Sequence, residues 1–309
     1  MIRPVASSPS GQQHRISRGD HVAVVTEVGA TLRSYHVGDR PVLDGFPADQ
    51  RPDGGRGQVL APWPNRVRDG RYRFDGQDLQ LGLTEAAKGN AIHGLVRWVG
   101  WAPRSQSDHE VVMGTTVWPQ PGYPWLLRLT ATYRLVEDGL EVTLAARNES
   151  EHPAPYGVGQ HPYLAAPGGV DSAVLTVPAD RRLLMDDRSV PVGDEPVDGT
   201  PYDFRSGRAV GDLRLDEAYV ALQPGPDGRV RVRLDETGGD HGVELWCEAA
   251  TTRCLQVFSG DTLPDAARRR QGLAVEPMSC PPDALASGVD LVVLPPGDEH
   301  VLHWGVRGW

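Results

Sequence analysis

L-L-R-L-T-A-T-Y-R-L at 126–135 and L-E-V-T-L-A-A-R-N at 140–148 alternate apolar and polar residues, with V-E-D-G between them. A period of two is the pattern of a half-buried strand, and an Asp-Gly pair between two such runs marks a hairpin. The same rhythm continues outward. Towards the N-terminus it appears at His21–Val28, Gly29–Val37, Gln77–Leu83 and Val111–Trp118. Towards the C-terminus Val230–Leu234 alternates again, and Ala173–Pro178, Glu244–Glu248, Cys254–Phe258, Gly272–Glu276, Val289–Leu294 and His300–Val306 are further strand candidates. Helical periodicity is confined to the short stretches Thr84–Lys88, Pro264–Arg270 and Pro281–Ala286. The 36 glycines and 27 prolines supply the turns that so many short strands need. An all-β sandwich or barrel follows. No Pro/Ser linker or propeller-spaced repeat divides the chain, so one domain over 1–309 is expected, with 1–19 a loose Ser/Gly/Gln-rich lead-in.

The totals narrow the function. A formal charge of -10 gives no basic footprint for nucleic acid. Three cysteines, Cys247, Cys254 and Cys280, form no disulfide framework or zinc spacing and suit a reducing compartment. The polar N-terminus has no apolar signal region, and no apolar stretch is long enough to span a membrane. A cytoplasmic protein is the expectation. Cofactor motifs are also missing: there is no Gly-rich dinucleotide turn between strand and helix, no G-K-[ST] phosphate loop and no H-E-x-x-H. No catalytic metal or cofactor is therefore expected.

The chemistry-bearing residues fall in a few places. Y-G-V-G-Q-H-P-Y-L at 156–164 sets His161 between Gln160 and Pro162, with tyrosines nearby as walls. The plain alternative is a loop histidine at a strand end. Glu276 closes the apolar run G-L-A-V-E, where burial would raise a carboxyl pKa, and Pro277 is expected to end regular pairing there and leave Glu276 at a pocket rim. Otherwise it is a strand-end Glu facing solvent. Pro62 and Pro64 break regular pairing around Trp63, Asn65 and Arg66, a corner able to hold a planar polar ligand. Asn90 and His93 lie in a loop before W-V-G-W, and Asp216 lies in R-L-D-E-A-Y. Together these residues suit an uncharged polyol handled by proton transfer, with a His and a desolvated Glu as acid and base. A glycosidase would use two carboxylates, which Glu276 and Asp216 could supply. A non-catalytic sugar-binding domain would keep the aromatics alone.

Taken in order, the landmarks resemble the aldose 1-epimerase (galactose mutarotase) family from about His21 to Val306. They are G-A-T-L at 29–32, P-N-R-V-R-D-G-R-Y at 64–72, N-A-I-H-G at 90–94, G-Y-P-W at 122–125 and H-P-Y-L at 161–164. T-P-Y-D-F-R at 200–205, L-D-E-A-Y at 215–219, V-E-P-M at 275–278 and P-P-G-D-E-H at 295–300 complete the series. The resemblance implies a β-supersandwich of large antiparallel sheets, galactose mutarotase-like, acting without a cofactor on the anomers of a free aldose as monomer or homodimer. It implies Glu276 as the base at the anomeric hydroxyl and His161 as the acid at the ring oxygen. His93, Arg66 and Asp216 would bind the sugar, with Asn65, Asn90 and Gln160 beside them. More distant relatives act on hexose 6-phosphates; Arg33, Arg66 and Arg97 are the candidate phosphate cations for that alternative.

Overall fold

The computed structural model describes residues 8–238 and 240–309. The hairpin forms as read. Leu127–Leu135 pairs antiparallel with Leu140–Asn148, with Leu129 opposite Ala146, Ala131 opposite Leu144 and Tyr133 opposite Val142. All six face one side and are buried. Because side chains alternate across a strand, this register sends the apolar residues at alternate positions of both strands inward at once.

Around the hairpin grows a nine-stranded antiparallel sheet. Its order is Ala102–Gln106, Glu110–Val117, Leu127–Leu135, Leu140–Asn148, Glu299–Gly308, Gly242–Glu248, Arg229–Asp235, Val174–Thr176 and Arg208–Ala209. A second sheet has eight strands and carries the residues of interest. Its path runs Pro191–Pro196, Ala179–Met185, Asp216–Leu222, Cys254–Phe258, Gly272–Met278, Gly159–Gln160 and Val59–Leu60. Tyr163–Ala165 also pairs with Gly272–Met278. A four-stranded sheet starts at Gln13–Arg18, so the segment expected as a loose lead-in is already strand from Gln13. Residues 1–7 of that expected segment lie outside the described residues. The helix candidates shrink to a 3-10 turn at Ala266–Arg268 and one α-turn at Ala284–Ser287, and Thr84–Lys88 is not helical.

The two large sheets share one apolar cluster, which includes Leu144, Trp304, Leu273 and Val275. A polar bridge crosses it. Gln160 donates to Tyr133 Oη at 2.9 Å and accepts from Trp304 Nε1 at 3.2 Å, tying the second sheet to the hairpin sheet. A buried amide must find partners, and these two satisfy it only when the sheets sit in one relative position. Deleting apolar contact in this cluster removes burial and leaves a cavity. Leu144→Ala is expected to lower unfolding free energy by about 2–5 kcal/mol in urea titrations; a loss below about 1 kcal/mol would show that Leu144 is not core.

Candidate active site

Gly272–Met278 is buried along its whole length. Leu273 and Val275 face the main core, so alternation turns Ala274, Glu276 and Met278 to the opposite face. Glu276 is 2% exposed. It is thus a floor residue, not the rim residue expected, and the strand runs through Pro277 to Met278. The neighbouring segment explains why a proline is tolerated. Val275 N–H donates to Pro162 O and Ser279 N–H to Val158 O, so the missing N–H of Pro277 falls between them. Its register partner there is Gln160 of the short strand Gly159–Gln160, and only the next residue turns aside: His161 N–H donates to Gln58 O, and His161 O accepts from Gly57 N–H. The proline forgoes one ladder hydrogen bond, and the bonds of Val275 and Ser279 on either side keep the strand paired.

That same break aims His161 at Glu276. Their Nε2 and Oε1 atoms stand 3.1 Å apart, with both side chains buried. His161 Nδ1 and Glu276 Oε2 are buried without a protein partner. The His161 ring lies 5.2 Å from the Tyr163 ring at 8°, and the His93 ring meets it edge-on at 5.6 Å. Gly55 packs so close that a Cβ there would lie 2.6 Å from His161 Cδ2. Burial first, then the charges of Arg56 and Arg97, push the His161 pKa down to about 3. Burial first, then Asp216, holds Glu276 well above the usual carboxylate range. Both directions favour the neutral forms. The pair is thereby biased towards holding one proton between imidazole and carboxyl.

The pair forms the floor of a cavity of about 310 Å³. Asn65, Arg66, His93, Arg97, Asp216 and Gln256 bring polar groups to it, and Ile92, Trp98, Phe258 and Leu263 bring apolar surface. Asn65 N–H donates to His93 Nδ1 at 3.1 Å, and His93 N–H donates to Asn65 O at 2.9 Å. With Nδ1 accepting, the neutral His93 ring carries its proton on Nε2. Burial first, then Arg97, keeps that ring well below ordinary histidine basicity. Gly94 beside it has φ +70°, and a Cβ there would sit 2.0 Å from Ala61 O; this fixes glycine after His93. Arg66 is held by both oxygens of Glu85, at 2.8 and 2.9 Å. Gln256 accepts from Asn65 Nδ2 at 3.3 Å and donates to Asp216 Oδ1 at 2.7 Å. It sits opposite Glu276 on the next strand.

Six of the eight sequence candidates meet in this cavity. Asn90 and Gln160 do not line it. Asn90 Nδ2 donates to Glu85 Oε2 and Arg188 O, so it buttresses the carboxylate that grips Arg66. Gln160 faces the intersheet core, because strand alternation sends it away from its neighbour His161. Of the suggested phosphate cations, Arg66 and Arg97 line the cavity, whereas Arg33 lines a separate hollow of about 490 Å³ with His36 and Asp44. Sequence reading missed Gln256 and Arg56. Gln256 could have been found, since a lone polar residue inside C-L-Q-V-F carries the same signal as Glu276 in its apolar run. Among the described residues, no group of three His, Cys, Asp or Glu side chains is arranged to hold a metal ion. No helix among them is long and apolar enough to cross a membrane.

Comparison with known proteins identifies the fold and the family. The aldose 1-epimerase family model matches residues 12–306. The chain belongs to the aldose 1-epimerase family. It is 32% identical over 308 residues to the uncharacterized protein YihR of Escherichia coli, covering 97% of this chain and 94% of that one. It is 26% identical to the aldose 1-epimerase of the same organism, covering 88% of each. Among solved structures, a GalM/aldose epimerase homologue from C. elegans superposes with a TM-score of 0.85 at 18% identity, covering 96% and 98% of the two chains. A galactose 1-epimerase from Lactobacillus acidophilus gives 0.79 at 20%, covering 95% and 92%. These likenesses support the all-β, galactose mutarotase-like architecture.

A raised carboxyl pKa has a thermodynamic consequence. Above the ordinary carboxylate value of 4.5, the unfolded chain gives up the Glu276 proton and the folded chain does not, so stability falls as pH rises through that range. Glu276→Gln removes this penalty. Its Tm at pH 8 is expected above that of the parent, by on the order of 2–4 °C per kcal/mol recovered, with the gap closing towards pH 4.5. A lower Tm for the variant at pH 8 would mean that the fold holds an ionised carboxylate.

Proposed function

We propose that this protein is an aldose 1-epimerase that interconverts the α and β anomers of a free monosaccharide. The observation that carries this reading is the 3.1 Å contact between buried His161 and Glu276 at the floor of a polar cavity. Opening a hemiacetal requires a proton removed from the anomeric hydroxyl and a proton given to the ring oxygen. Those two oxygens share one carbon, so their partners must also be neighbours. The cavity volume suits one sugar ring, at the small end of ligand sites.

The steps follow from the pair. Passing the shared proton from Glu276 to His161 gives a carboxylate beside an imidazolium. Glu276 then takes the proton of the anomeric hydroxyl, and the C1–O1 bond becomes a carbonyl. The C1–O5 bond breaks, and its electrons go to the ring oxygen, which takes the proton from His161. Rotation about C1–C2 presents the other face of the aldehyde, and the reverse transfers close the ring. His93 Nε2–H is the donor beside the ring oxygen, and Arg66, Asp216 and Asn65 bind ring hydroxyls. Preorganised donors and a dry floor make each transfer short. The working state holds one proton. Activity should fall in acid when the pair gains a second and in alkali when it loses the first, giving a bell-shaped profile.

Polarimetry of freshly dissolved anomers of glucose, galactose, arabinose and fucose tests this reading. The protein is expected to speed equilibration of at least one. His161→Asn and Glu276→Gln should each lower kcat by about 10²–10⁴ while circular dichroism stays native. No acceleration of any sugar, with binding retained, would leave a carbohydrate-binding protein. An active His161→Asn variant would remove the assigned acid.

One observation favours a second substrate class. Arg97 lines the cavity without an ion pair among the described residues, and its Nη2 makes only a 3.5 Å contact to Ile92 O. Burial lowers its pKa to about 10. An unneutralised guanidinium suits a sugar with an anionic group, such as a hexose 6-phosphate. If so, glucose 6-phosphate should be the better substrate, and Arg97→Gln should abolish that preference while sparing turnover of glucose. Equal losses on both sugars would assign Arg97 to the hydroxyls.

A further inference from the structure

A catalytic histidine is usually oriented by a hydrogen bond at its second ring nitrogen. His161 has none from protein, because its buried Nδ1 is unpartnered. Packing must do that work, and the packing is specific. The Tyr163 ring lies nearly parallel to the imidazole, at 5.2 Å and 8°. The Arg56 guanidinium lies over the Tyr163 ring at 3.9 Å. Both members are anchored. Arg56 is 1% exposed; its Nε donates to Asp53 Oδ1 at 2.9 Å, and its Nη1 to Asp44 O at 3.0 Å and Asp44 Oδ2 at 2.6 Å. Tyr163 Oη donates to Gly54 O at 2.9 Å. The backbone of Tyr163 pairs with Ala274, two residues from Glu276 on the same strand. One strand therefore fixes both the slab under the imidazole and the carboxylate in front of it.

We propose that Arg56, acting through Tyr163, is the positioning residue for His161: the stack holds the imidazole in line with Glu276 in place of a hydrogen bond at Nδ1. This rests on the epimerase reading for its kinetic consequences, but not for its geometry. Arg56 is not among the residues that line the cavity and is not itself catalytic. It also supplies charge. The groups facing His161 are Glu276, His93, Arg97, Arg56 and Asp53. Burial, Arg56 and Arg97 oppose a positive imidazole, and Asp53 favours one. Removing the Arg56 charge should make every protonation of the pair easier and carry both limbs of the pH profile to higher pH.

The test combines kinetics with imidazole NMR on folded variants of the full chain. Tyr163→Leu is expected to lower kcat about tenfold or more with little change in KM, and Tyr163→Phe to recover most of that loss. In ¹⁵N NMR, assigned with His161→Asn, Arg56→Met should raise the pH at which His161 takes a proton, and Arg56→Lys should restore it. Phe and Leu variants of equal activity, or a folded Arg56→Met with His161 titrating as in the parent, would overturn the proposal. Should Arg56→Met fail to fold because Asp44 and Asp53 lose their partner, the Tyr163 pair decides it. A parent protein without mutarotation would overturn the epimerase reading instead, and the NMR comparison would still decide the stack.

Discussion

Two buried ionisable side chains in direct contact are biased towards sharing one proton, and the fold is arranged to keep them so. Burying an unpaired carboxylate or imidazolium is costly, and burying the neutral acid and base together costs far less. His161 and Glu276 resolve that constraint by direct contact at 3.1 Å. The price is marginal local stability, because the unfolded chain ionises both groups freely. A site that tolerates this cost is poised to pass a proton in either direction, and reversible ring opening asks for that.

The scaffold delivers the contact through one interruption. Gly159–Gln160 and Tyr163–Ala165 both pair with Gly272–Met278, and between them His161 turns its backbone to another segment. His161 uses its backbone on Gln58 and Gly57, and Glu276 stands opposite it in the register. Alternation then divides the work. Gln160 turns to the core and locks the two large sheets through Tyr133 and Trp304, while His161 turns to the cavity. The position of the sheets and the position of the His161 imidazole are thereby set by adjacent residues.

Much of this was legible in the residues. Period-two alternation marked the strands with one buried face, short apolar runs marked those buried on both, such as Gly272–Met278, and the hairpin at 127–148 falls in the register its pattern demands. Glu276 stood out as a charge in an apolar run. Asn90 and Gln160 were misplaced because membership of a motif does not say whether a side chain points to ligand or to scaffold. Pro277 misled because a proline removes only one ladder hydrogen bond, and those of Val275 and Ser279 on either side keep the strand paired. Arg56 was illegible. It sits in Q-R-P-D-G-G-R-G, whose glycines and prolines signal a loop and hide the fact that the loop folds inward against His161.

The neutral pair is open to direct observation. Infrared difference spectra of the parent against Glu276→Gln at pH 7 isolate the one carboxyl group that differs. The band of a protonated carboxyl in the parent, disappearing only in alkali, is the expected result. A carboxylate band at pH 7 beside a neutral His161 would leave no proton to share and would contradict the account.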